Sequence, residues 1–138
     1  GNVFGLTSLS SPSGKKIIYS QTSAEGRNLK LKVIDRDKKT EVAIDLFSLP
    51  EKCSWSQDNR TIFCGNIKTE DTPIMPDDYY KRLLAYEEEE IIRINTDTGQ
   101  AQKIISGPFD FYKPFLFENE SYLFFINKID GRLYRLTL

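Results

Sequence analysis

Two cysteines and a scatter of carboxylates are the side chains whose types and spacing suggest chemistry. Cys53 and Cys64 stand eleven positions apart, and the chain holds no histidine. Without histidine, neither a Ser-His-Asp triad nor a Cys-His dyad can be assembled within the chain. The usual zinc patterns of cysteine and histidine are excluded as well. Asp77, Asp78 and Glu87 to Glu90 are the candidates for a general acid/base pair or a hard-cation site. Four consecutive glutamates read as a solvated face, and calcium loops space their ligands alternately, with a glycine at the sharp turn. The assignment is therefore no catalytic residue, no cofactor-binding residue and no metal ligand, with no cofactor expected.

The cysteines sit in the stretch the chain is organised around, residues 53–64, CSWSQDNRTIFC. A short apolar run meets the polar knot Gln57-Asp58-Asn59-Arg60, and a second apolar run follows. Strand, tight turn, strand is the economical reading, because Asp and Asn tolerate turn conformations that strand residues do not. With Asp58-Asn59 as a two-residue loop, Trp55 faces Ile62 and Cys53 faces Cys64, close enough for a disulfide. A three-residue loop would slip the register and put the sulfurs on opposite faces. Two buried free thiols are the other alternative. A bridge closing so short a loop would contribute about 3 kcal/mol and imply an oxidising, extracytoplasmic setting.

The 138 residues suffice for one ordinary domain with a core. Nine Phe and seven Tyr dominate an aromatic share of 12%, which favours β structure over helix. A net charge of −1 and a pI near 5.6 give no electrostatic footprint for nucleic acid, so no nucleic-acid partner is expected. No apolar run approaches the roughly 20 residues of a membrane span. The chain opens on Gly1 rather than Met, which reads as a trimmed or processed product whose targeting signals lie elsewhere.

The central hairpin recurs. Residues 11–19, SPSGKKIIY, lie over 56–64, SQDNRTIFC, with Gly14 over Asn59, Lys15 over Arg60 and Ile17 over Ile62. Residues 117–125, FENESYLFF, fit a third time, with Asn119-Glu120 in the turn and Leu123 matching Ile17. A second strand pair follows each hairpin: 29–46 around an Asp-Arg-Asp-Lys turn, and 90–105 around a Thr-Asp-Thr-Gly turn. In the third unit, residues 131–138 supply one further strand. The fold class is therefore all-β: about three units of four antiparallel strands, A to D, the last incomplete. The units run over about 8–46, 52–105 (with an insertion at 67–89) and 112–138. Four strands at a period near 45 residues describe a propeller blade, so the chain is read as one partial or half propeller. A β-sandwich is the rival.

These residues carry a family resemblance. Ser11-Pro12-Ser13-Gly14-Lys15 resembles the S-P-D-G-K turn of TolB-type and WD-repeat-like propeller blades. Trp55-Ser56-Gln57-Asp58-Asn59 resembles their W-S-x-D-G, and Ile94-Asn95-Thr96-Asp97-Thr98-Gly99 resembles their I-D-x-x-T-G turn. The cysteines together with Pro76-Asp77-Asp78-Tyr79-Tyr80 resemble a group of poorly characterised bacterial propellers. Those are tethered outside the membrane by an N-terminal segment, so the resemblance implies an extracytoplasmic location and a tether in the parent protein. Asn59 stands where the family has its turn glycine, and the third unit has no S-P-D-G. Residues 56–63 also brush against the aspartate box of sialidase-type propellers, but Arg60 and Ile62 occupy its glycine and threonine positions.

In the insertion IKTEDTPIMPDDYYKRLLAYEEE, Pro73 and Pro76 break any regular element. Residues 77–86 are read as a helical turn or two, with Tyr79, Tyr80, Leu83 and Leu84 on one side. A loop this long is functional or disordered, so Asp77, Asp78, Tyr79 and Tyr80 are the candidate partner-binding residues. The competing reading has Tyr79, Tyr80 and Leu83 pinning the loop to its own blade. Two sequons, Asn59-Arg60-Thr61 and Asn119-Glu120-Ser121, fall in A–B turns and matter where the source cell glycosylates exported proteins.

Propellers contain at least four blades, so three leave two blade faces open to water. Either the chain is part of a longer propeller, or two copies pair into a six-bladed ring. In that ring Val3 to Leu9 would complete the truncated last blade. The function expected is a non-catalytic binding or scaffold module with a protein or glycan partner. The alternative is an accessory, gating propeller domain of a larger enzyme such as a serine peptidase. A hydrolase or lyase with an acidic site is the third possibility.

Overall fold

A computed structural model describes residues 2–84 and 88–138. Sheet I contains β1 (Phe4–Ser10), β2 (Lys16–Thr22), β3 (Lys30–Asp35) and β4 (Thr40–Ile44). Sheet II contains β5 (Cys53–Trp55), β6 (Thr61–Lys68), β7 (Glu88–Asn95) and β8 (Ala101–Gly107). Sheet III contains β9 (Phe111–Phe117), β10 (Tyr122–Asn127) and β11 (Arg132–Thr137). Each is an antiparallel meander with its strands in chain order. The expected blades of four, four and three strands are present. β1 pairs with β2 inside sheet I, so the expectation that this segment completes the last blade is corrected. The A–B turn of the first repeat already commits β1 to its own sheet.

The three hairpins superpose as the repeat alignment required. Cys53 lies opposite Cys64 and Trp55 opposite Ile62, and the cysteines are bridged with Cα atoms 4.1 Å apart. The loop is longer than the two residues expected, because Ser56 N–H donates to the Thr61 carbonyl at 2.9 Å. Four residues and two residues have the same parity, so the register survives the change.

Sheet II lies between the others and is buried on both faces. Cys53, Trp55, Ile62, Cys64, Ile92 and Ile94 pack against Ile18, Leu31, Val33 and Ile44 of sheet I. On the opposite face Phe63 and Ile91 pack against Phe111, Leu123 and Phe125 of sheet III. The run Ile62 to Gly65 is accordingly buried without a break, whereas β2 and β10 alternate. A strand covered on both sides has no solvent face to mark with polar residues.

The outer faces differ in kind. On sheet III, Phe115 stacks on Phe124 at 5.2 Å and Phe117 meets Phe124 edge-on. Phe115 and Phe117 are exposed, as is Leu133. On sheet I the equivalent outward layer holds a polar network, with Tyr19 O–H donating to Glu41 at 2.7 Å and Lys32 paired to Glu41 at 3.1 Å. The open face of sheet III is aromatic, whereas that of sheet I mixes this polar network with the half-buried Ile17 and Ile34 and the exposed Leu6.

The A–B turns are stapled from blade to blade. Gly14, Asn59 and Glu120 are equivalent in the repeat and all adopt left-handed φ, at 73°, 56° and 67°. Asn59 Oδ1 accepts the Ser13 N–H at 2.8 Å. Glu120 accepts the Gln57 N–H at 2.6 Å and the Ser56 hydroxyl at 2.7 Å. Each side chain that replaces the turn glycine therefore reaches back to the preceding turn. At Gly14, a Cβ would meet nothing within 4 Å among the described residues.

Glycine is easier than glutamate at left-handed φ by about 1 kcal/mol, whereas hydrogen bonds to a carboxylate contribute about 1.5–3 kcal/mol. Glu120→Gly should therefore lower stability by about 1 kcal/mol in urea unfolding, although it supplies the residue such turns favour. A stabilised variant would show that Glu120 serves no inter-blade role.

Candidate functional site

The B–C insertion and the connections between sheets meet at one end of the molecule, opposite the A–B turns. The insertion straps this end together. Met75 N–H donates to the Gly26 carbonyl in sheet I's B–C loop at 2.8 Å. Gly26 has φ 73°, and a Cβ there would come within 2.6 Å of Ile74, so only glycine lets the strap lie so close. Met75, Tyr79 and Leu84 are buried with Leu49 and Ile67, flanked by Leu29 and Phe47. Tyr79 O–H reaches Asp110, just before sheet III, at 3.3 Å.

The expected helical turns shrink to one, α1 (Asp77–Tyr80), and Ala85, Tyr86 and Glu87 lie outside the described residues. A single turn cannot line up four side chains. Tyr79 and Leu84 are buried, while Tyr80 is half exposed and Leu83 is 68% exposed. Leu83 pins nothing, and Tyr79 anchors the strap to the neighbouring blade as well as its own. Asp78 accepts the Ile74 N–H at 2.7 Å and shapes the loop. Asp77 pairs with Lys81 at 3.8 Å in solvent, and Tyr80 O–H donates to Glu51 at 2.9 Å.

Beneath the strap lies a charge cluster that the sequence reading missed. Lys52 Nζ, fully buried, stands 2.6 Å from Asp110 Oδ1 and 2.9 Å from Glu89 Oε1. Glu89 Oε2 also accepts the Phe111 N–H at 3.2 Å, and Asn127 Oδ1 accepts the Asp110 N–H at 3.0 Å. Burial pushes the Glu89 carboxyl up to about 7, against the pull of Lys52. Gly65 makes the room, since a Cβ there would lie 2.1 Å from Glu89 Oε1 and 3.0 Å from Phe111. Reading the glutamate run as a solvated face is thus corrected at Glu89. The signal was its period-two phase with the buried Ile91 in β7. The exposed Glu88 and partly exposed Glu90 fit the solvated reading better.

Beside this cluster a cleft of about 220 Å³ opens between the strap and sheet III, lined by Tyr79, Arg82, Leu84, Asp110, Lys128 and Ile129. The Lys128 ammonium sits 4.2 Å from the Tyr79 ring centre and 4.7 Å from that of Tyr112. Burial, with Lys52 and Arg82 nearby, holds it below the usual lysine range despite the pull of Asp110. The Asp110 Oδ1 that borders the cleft is already taken by Lys52 and Tyr79.

Because Glu89 stays protonated when folded up to about pH 7, its contribution to stability is full below about 4.5, where the unfolded chain also holds the proton. It is lost as pH rises through 7. The melting temperature should fall by several degrees between pH 5 and 8, and Glu89→Gln, which keeps the neutral shape, should flatten that slope. An unchanged slope in the variant would assign the pH dependence elsewhere.

No protein-family model and no curated protein matches the chain. Solved structures do. TolB from Acinetobacter baumannii superposes with a TM-score of 0.55 at 17% identity, over 96% of this chain and 32% of that one. An oligogalacturonate lyase in complex with manganese gives 0.63 at 17% identity, over 94% and 36%. The β-propeller domain of the Trilobed protease from Pyrococcus furiosus gives 0.61 at 14% identity, over 99% and 40%. The chain thus spans roughly a third of the length of each. With three consecutive blades in that likeness, its fold is that of a TolB-like β-propeller, of which it carries a part.

Proposed function

We propose that the chain is a non-catalytic binding module of β-propeller type that presents its insertion end to a partner. The observation that carries this reading is the strap. The described part of the loop, through Leu84, is fastened to the loops of both neighbouring sheets, while Leu83 and half of Tyr80 are left facing solvent. A surface so ordered at the cost of loop entropy suits recognition. Lys52 fills the space between Glu89 and Asp110, and Glu89 is fully buried, so the proton it keeps lies out of a substrate's reach. The Cys53–Cys64 bridge supports an extracytoplasmic setting for the module.

An accessory role in a larger enzyme is the second reading. It is favoured by the likeness to an acylaminoacyl peptidase, with a TM-score of 0.58 at 15% identity, in which this chain covers 25% of the length. Pairing of two copies into a six-bladed ring is the weakest reading. A head-to-tail ring would set Phe115 and Phe124 of one copy against Lys32 and Glu41 of the other.

A photo-crosslinking residue placed at Leu83, and separately at Gln102 on the outer strand of sheet II, tests the binding reading on an exported protein and glycan fraction of the source cell. Defined adducts are expected from position 83 and not from position 102. Adducts from position 102 alone would move the binding surface to the strands.

A further inference from the structure

We propose that the cleft between the strap and sheet III receives the carboxylate of an acidic peptide segment, an aspartate or glutamate side chain of a protein partner. This rests on the reading of the insertion end as a binding surface and names the chemistry that end would recognise. Two cations border the cleft, and among the described residues neither Lys128 nor Arg82 has a carboxylate within ion-pair distance. The nearest acid, Asp110, is itself paired with Lys52 at 2.6 Å. Among the residues lining the cleft the two cations, Arg82 and Lys128, outnumber that one acid, in a chain whose net charge is −1.

Arg82 stands at φ 57° immediately after α1, its N–H bonded to the Tyr79 carbonyl at 3.1 Å. Helices end most easily there with glycine, and an arginine held in that conformation keeps a planar, two-pronged donor at the rim. Lys128 is fixed between two tyrosine rings, which orders its ammonium before any ligand arrives and lowers the entropic cost of pairing. The walls, Leu84 and Ile129, are aliphatic and suit the methylenes of an acidic side chain. The volume, about 220 Å³, has room for one acidic side chain. The ring faces a sugar would stack on, those of Tyr79 and Tyr112, carry Lys128 instead.

The test is an NMR titration of the 138-residue chain with an acetylated, amidated Gly-Glu-Glu-Gly peptide, its Gly-Gln-Gln-Gly counterpart and digalacturonate. The glutamate peptide should give saturable shifts at the amides of Arg82, Lys128 and Ile129, and the glutamine peptide should bind at least about tenfold more weakly. Arg82→Gln and Lys128→Gln should each raise the dissociation constant about fivefold or more, while Lys103→Gln, on the outer strand of sheet II, should leave it unchanged. Arg82 is exposed, so its variant carries the test if Lys128→Gln does not fold. Equal binding of the glutamine peptide, indifference to both cleft substitutions, or absence of saturable shifts would overturn the proposal. Binding of digalacturonate at the same amides, as tight as the glutamate peptide or tighter, would overturn it in favour of an acidic sugar. None of these results bears on crosslinking at position 83, so the cleft and the binding surface can fail separately.

Discussion

A thin antiparallel sheet with oily residues on both sides is unstable alone, and every other feature of this molecule answers that constraint. Sheet II meets it fully. One face presses Ile62, Cys64, Ile92 and Ile94 onto sheet I, and the other presses Phe63 and Ile91 onto sheet III. The disulfide belongs to the same solution. It joins β5, three residues long, to β6 at a fully buried position, where so short a strand has few ladder bonds of its own. Blades thus hold one another through their flat surfaces, and the turns and connections adjust how they stack.

Both ends of that stack are tied by polar groups, in different ways. At the turn end, Asn59 and Glu120 reach back to backbone N–H groups of the preceding turn, and Lys16 of sheet I pairs with Asp97 in the C–D turn of sheet II. At the insertion end, a single ammonium, Lys52, bridges β7 of sheet II and the approach to β9 of sheet III through Glu89 and Asp110. Burying three ionisable groups is costly, and here Lys52 lies between the two carboxyl groups while Glu89 Oε2 also accepts the Phe111 N–H. Gly65 shows how closely this was fitted, since the missing side chain on β6 is the space that Glu89 and Phe111 occupy.

Much of this was legible in the sequence, because periodicity and turn chemistry act locally. The three hairpins and their relative register followed from aligning residues 11–19, 56–64 and 117–125, and the facing of Cys53 and Cys64 from a two-residue Asp58-Asn59 loop, a three-residue loop being the alternative. The loop length did not, since a four-residue turn with Asn59 in left-handed φ has the same parity as the two-residue turn expected. The site was less legible. Glu89 looked like one of four solvated glutamates, and its burial depends on Lys52, thirty-seven positions away in the chain. Lys52 itself carried no local mark, and only packing of sheet III brings Asp110 to it. The departure of Asn59 from the family's turn glycine likewise has no meaning within one hairpin and acquires one when the next hairpin is alongside.

The contrast between the two outward surfaces gives the molecule a direction. Tyr19, Lys32 and Glu41 place a hydrogen-bonded polar network on the outward face of sheet I, beside the half-buried Ile17 and Ile34. Phe115, Phe117 and Phe124 leave sheet III unfinished. Stacked units with two sticky sides can add to one another without limit and grow into fibres. Unlike outward surfaces call for unlike neighbours, so the layer that covers sheet III differs from the one that would cover sheet I.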